Sequence, residues 1–175
     1  MTPLISLDAA EKEVLAEARK LLATVRQHAA NDPTTVPEAV AALSALRKEI
    51  YEDLNQIQHE YFIIKGARWL LGTSVVTPEV SWQWNPRQTG TATEPDLGGD
   101  LNGARVVSAE VTTSTDPKGK IGERMASTLA KLSAMPGMKF YFVCAEAMRQ
   151  RAETKIEKGA WDIQVVCLTD SRNAF

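Results

Sequence analysis

The sequence predicts a mixed α/β domain in which a helical hairpin leads into a run of short strands and then two helix–strand alternations. Three observations carry this. Apolar residues recur at spacings of three and four from residue 8 to 65, short β-type runs take over from Thr73, and two near-continuous apolar runs, MKFYFVC and WDIQVVCL, each follow a helical pattern.

Val14, Ala18, Leu21, Val25 and His28 place one face of a first helix over 8–30, with Asp8 as N-cap; Asn31-Asp32-Pro33 ends it. A second helix starts near Pro37 and carries Leu43, Leu46, Ile50, Leu54, Ile57, Tyr61 and Ile64 to about Lys65, with Gly66 as its end. Residues 8–65 thus form an αα-hairpin. Strands follow in VTPEVSWQW, PDLGGDL and ARVVSAEVTT, the last two joined by Asn102-Gly103, a type I′ hairpin signal because both central residues must accept positive φ. Ile121, Met125, Leu129 and Leu132 line a helix over 119–134; a buried strand, a helix from Glu146 to Lys158 and a last strand complete the order α-α-β-β-β-α-β-α-β. Residues 1–34 are expected to pack on or extend a core formed by 36–175, as one compact domain.

The chain has 175 residues and a net charge of -2, which excludes a polybasic tail and an acidic disordered segment. No apolar run approaches the roughly 20 residues of a membrane span, so a soluble, cytoplasmic protein is expected. Cys144 and Cys167 lie inside apolar runs and read as buried, reduced thiols. The four tryptophans read as core, and His28 and His59, on separate helices, have no nucleophile marked beside them.

The chemistry concentrates in residues 94–118. A β-hairpin brings Glu94, Asp96 and Asp100 near Glu110, and converging carboxylates suit a hard divalent cation such as Mg²⁺ or Mn²⁺. Thr112 projects on the Glu110 side. In an ideal two-residue hairpin Leu97, and neither Asp96 nor Asp100, falls on the Glu110 face; a bulge at Gly98-Gly99 brings Asp96 onto it and leaves Asp100 off.

Pro95-Asp96 followed by Glu110-Val111-Thr112, in an αβββαβ context, resembles the PD-(D/E)XK nuclease superfamily, which includes type II restriction endonucleases. The resemblance implies a restriction-endonuclease-like core, a metal held by Asp96, Glu110 and the carbonyl of Val111, and Asp96, Glu110 and Thr112 as catalytic residues. Glu60 resembles the extra carboxylate that many members contribute from the first core helix. Thr112 stands where the family has lysine; Lys118, Lys120 and Lys131 are the candidates to supply that charge. The implied activity is Mg²⁺-dependent hydrolysis of DNA by a homodimer, since two strands need two sites.

Charge distribution points the same way. Residues 118–158 hold nine basic and four acidic groups, net +5, against -3 for residues 1–65. Lys118, Lys120 and Arg124, with Arg87 and Gln88 in the NPRQTGT loop, are the expected nucleic-acid contacts; Arg151, Lys155 and Lys158 form a further stripe. Two other readings stand beside the nuclease: a non-catalytic DNA-binding or regulatory protein on the same scaffold, and an interaction protein working through its αα-hairpin.

Overall fold

The computed structural model describes residues 1–87 and 93–169. Among them the order is β1 (Thr2–Pro3), α1 (Leu7–Ala29), α2 (Val36–Gly72), β2 (Ser81–Trp84), β3 (Leu97–Leu101), β4 (Ala104–Thr112), α3 (Lys120–Ser133), β5 (Met138–Val143), α4 (Glu146–Gly159) and β6 (Gln164–Cys167). The expected order is present, with the two-residue β1 added at the amino terminus. No helix among the described residues is long and apolar enough to cross a membrane.

The six strands form one mixed sheet in the order β1-β2-β3-β4-β5-β6, antiparallel from β1 to β4 and parallel from β4 to β6. Alternation along the strands divides the core in two. Trp82, Trp84, Leu97, Val107, Ala109, Phe140 and Phe142 face α2 and the start of α1, while Tyr141, Val143 and Cys167 face α3 and α4. Trp69 packs edge-on against Phe140 and Phe142. Trp69, Trp82 and Trp84 are core as expected, Trp161 is half-buried, and Cys144 and Cys167 are buried with no disulfide between them.

Three boundaries differ from the expectation, each for a local reason. Ser6, and not Asp8, caps α1: its Oγ accepts the Ala9 N–H, and Asp8 in the first turn pairs with Arg68. Thr35 caps α2 through a capping box with Glu38, so the helix begins at Val36, one residue ahead of the expected start. Gly66 does not end α2, which runs 37 residues to Gly72. Its glycine serves packing, since a Cβ there would lie 2.8 Å from the Phe142 ring, so only a bare Cα lets the helix settle on β5.

Candidate metal centre

The hairpin of β3 and β4 builds the site. Asn102 and Gly103 have φ of 52° and 79°, the type I′ turn that the dipeptide predicts. Pairing runs Leu101↔Ala104 and Asp100↔Arg105, then jumps to Gly99↔Val107, Gly98↔Ser108 and Leu97↔Ala109. The extra residue is therefore Val106 in β4, opposite the Gly99–Asp100 step, and not a residue of the Gly98-Gly99 pair as expected. The effect on register is the one the bulge was expected to have: Asp96, one residue before Leu97, comes opposite Glu110. Gly98 is small for another reason, because the Arg105 side chain lies over it.

Asp96, Glu110 and Glu60 are three of the four polar or charged residues buried among the described residues, each 5 or 6% exposed. Asp96 Oδ2 accepts the Val111 N–H at 2.8 Å and lies 3.2 Å from His59 Nε2. Lys131 Nζ, from α3, is 2.6 Å from Glu110 Oε1. The buried Glu110 carboxylate is thus neutralised from the α3 side by one ammonium. Glu60 Oε1 faces Arg87 Nε at 3.8 Å.

The electrostatics follow from this burial. Desolvation first, and the neighbouring Asp96 second, push the Glu110 carboxyl up to about 7 despite Lys131. Burial opposes a charged His59, yet Asp96, Glu110 and Glu60 together raise it above the ordinary imidazole value. Burial also raises Glu60, which Arg87 and His59 counteract, and it raises the Tyr141 phenol beside Glu110 in the sheet.

Other expected residues fall as follows. Asp100, the rival of Asp96, pairs with Arg105 across the hairpin and belongs to a separate contact. Thr112 accepts the Ser114 N–H and lines a cavity of about 200 Å³ with Glu110, Ser114, Arg124, Thr128 and Tyr141. Of the three lysines, Lys131 is the one on Glu110. Lys118 pairs with Asp116 and Lys120 is exposed in the first turn of α3, so the residues closest in sequence to Glu110 are not those that reach it. Arg87 is turned back onto Glu17 of α1 and Asp53 and Glu60 of α2; Gln88 lies outside the described residues.

His59 is the site residue that sequence reasoning passed over. Its signal was its place beside Glu60, where α2 passes from exposed to buried; a residue pair 37 positions apart carries no periodicity.

Among the described residues no group of three His, Cys, Asp or Glu side chains gathers as a metal cage. What the site offers is two facing carboxylates and the adjoining backbone of Val111. This hard oxygen set fits a cation that takes one or two carboxylates and fills the rest of its shell with water and phosphate oxygens. The donor chemistry, two buried acids at neighbouring positions on paired strands, is the observation that favours the fit. On the other side of α3, Lys118, Gly119, Gly122, Arg151 and Lys155 line a groove of about 640 Å³, so the two basic segments share one surface. No protein-family model, curated protein or solved structure matches the chain.

Proposed function

We propose that the chain is a metal-dependent nuclease of the PD-(D/E)XK type that hydrolyses phosphodiester bonds in DNA. The observation that carries the reading is the meeting of Asp96 and Glu110 across a bulged hairpin with Lys131 on Glu110. The element order α2-β2-β3-β4-α3-β5 supports a restriction-endonuclease-like core, with α4 and β6 completing the sheet. Asp96, Glu110 and the Val111 carbonyl would hold Mg²⁺ or Mn²⁺, which when bound neutralises phosphate charge and lowers the pKa of water.

This chain's own residues do the rest. His59 and the Val111 N–H hold the Asp96 carboxylate in one orientation through Oδ2, leaving Oδ1 for a ligand. Lys131 favours the ionised form of Glu110, the form able to bind a cation, and its ammonium replaces the charge that Thr112 lacks. The cavity beside Thr112 and Arg124 leaves room next to Glu110 for a phosphate and a water. The groove of Lys118, Arg151 and Lys155 is the proposed track for the DNA backbone.

Supercoiled plasmid incubated with Mg²⁺ or Mn²⁺ and then with chelator tests the reading, with Glu110→Gln as control. Metal-dependent nicking that the variant loses is expected. Binding of DNA without cleavage in either metal would favour the second reading, a non-catalytic DNA-binding protein, which the absence of lysine at Thr112 supports.

A further inference from the structure

We infer that the outer face of the α1–α2 hairpin is a docking groove for an acidic amphipathic helix of a partner protein. The molecule leaves apolar surface uncovered in this region above all. Of the eleven large apolar side chains exposed among the described residues, eight lie between Leu15 and Tyr61. On α2 they fall at Val36, Val40, Leu43, Tyr51, Leu54 and Tyr61, and on α1 at Leu15 and Leu22. With Arg47 and Gln58 filling the gaps, every step along α2 is three or four residues, so all share one side of the helix. Between the two helices Leu15, Ala18, Leu54, Ile57 and Tyr61 line an open groove of about 610 Å³.

Charge selects the occupant. The α1 stripe reads Leu15, Arg19, Leu22 and Arg26, again in steps of three and four. Arg19, Arg26 and Arg47 are exposed and in no ion pair among the described residues. From residue 12 to 61 no acid occupies either stripe. Glu17, Asp53 and Glu60 turn to Arg87, Glu49 turns to His28, and Glu38 closes the cap of α2. Glu11, at the base of the groove, is neutralised by Arg68. The face therefore alternates apolar and positive side chains, although residues 1–65 as a whole are net negative.

Each rival occupant meets an obstacle here. A second copy of the face would set arginine against arginine. A bilayer surface needs a continuous apolar band with its cations at the margins, whereas Arg47 and Gln58 interrupt the band on α2 and Arg19 that on α1. Nucleic acid presents a phosphate backbone that has no use for eight exposed apolar side chains. A helix with apolar residues at three- and four-residue steps and a carboxylate at every seventh meets both features. Arg19 and Arg26 are seven residues apart, about 10 Å along α1, and each guanidinium can take a carboxylate through two parallel hydrogen bonds. Lying in the groove, such a helix becomes the third of a bundle.

A fluorescein-labelled synthetic peptide of about 20 residues, with leucines at that spacing and glutamate at every seventh position, tests this against the full chain by anisotropy. Saturable binding is expected, weakened about tenfold or more by Arg19→Glu with Arg26→Glu and Arg47→Glu. The same variant should gain affinity for the peptide whose glutamates are replaced by lysines. Circular dichroism checks that the variant folds; should it not, amide exchange of the unaltered chain should slow within residues 15–26 and 40–61 when the peptide is added. No binding at about 100 μM peptide would overturn the inference. So would binding that is lost through Lys118, Arg151 and Lys155 instead, or protection confined to α3 and α4. Self-association of the unaltered chain that Leu22→Glu abolishes would give the face to a second copy, and attachment to phosphatidylglycerol vesicles without peptide binding would give it to a membrane; either result overturns the inference.

Discussion

The Asp96 carboxylate accepts the Val111 N–H in a buried 2.8 Å hydrogen bond, so the acid that precedes β3 is tied to the strand that carries Glu110. Bonds of this charge-assisted kind contribute about 1.5–3 kcal/mol, and this one also sets where Asp96 Oδ1 points.

Asp96→Ala is therefore expected to lower stability by about 1–3 kcal/mol as well as to abolish cleavage, because it strands a buried N–H and leaves His59 without its partner. Asp96→Asn keeps an acceptor and should lose cleavage with a smaller stability change. Asp100→Ala, which breaks only the contact with Arg105, should cleave like the parent. Urea unfolding and plasmid nicking on the three variants check this; the opposite ranking of Asp96 and Asp100 would move the site.

Glu110 makes metal-free stability depend on pH. Its carboxyl rises from an ordinary 4.5 to about 7 on folding, so between those values the folded chain holds more protons than the unfolded one. The carboxyl is thus most compatible with folding at low pH, and stability falls as pH rises through 7. Glu110→Gln should remove that slope: in chelator its melting temperature should match the parent near pH 5 and exceed it near pH 8. Mg²⁺ should raise the melting temperature of the parent at pH 8 and leave the variant unchanged. A variant less stable than the parent at pH 8 would mean that Glu110 is held by partners stronger than Lys131.

Lys131→Met should reduce cleavage by about 10²-fold or more, the size of contribution expected from a positioned charged group at a reacting centre. Its loss should also shift the pH midpoint of the rate upward, since Lys131 draws the Glu110 pKa down. Lys131→Arg should restore the midpoint better than the rate. Lys118→Ala and Lys120→Ala should leave the rate at saturating DNA intact, because neither is on Glu110. A pH–rate profile for each variant separates these outcomes.

Neutralising Lys118, Arg151 and Lys155 together should weaken DNA binding and flatten its salt dependence by about 2–3 in the slope of log affinity against log salt, near 0.9 per lost phosphate contact. Filter binding between about 50 and 200 mM salt measures it. An unchanged slope would make the groove an ordinary solvated surface.

Gly66→Ala should destabilise the chain by about 1–3 kcal/mol, since the new methyl must displace the Phe142 ring at the centre of the larger core. Phe142→Leu in the same chain should recover part of the loss, read by thermal unfolding. Additive losses would show that the two positions do not press on one another.

Periodicity and turn chemistry are local properties, and what rests on them is legible in the one-dimensional chain. The 3–4 rhythm of residues 8–65, the Asn102-Gly103 turn, the buried runs around Phe140 and Val166, and the need for a bulge to bring Asp96 to Glu110 all follow from residues a few positions apart. Tertiary structure decided the rest. It placed the extra residue at Val106 in β4, while Gly98 passes beneath Arg105 and Gly99 beside Val80 and Trp82. It carried α2 through Gly66, because Phe142 occupies the space of a side chain there. It brought Lys131 and His59 to the acids in place of Lys118 or Lys120, and turned Arg87 toward Glu60. Each of these is a choice among equivalent charges or glycines, settled by how helices on opposite faces dock on the sheet, and spacing along the chain contains no record of that docking.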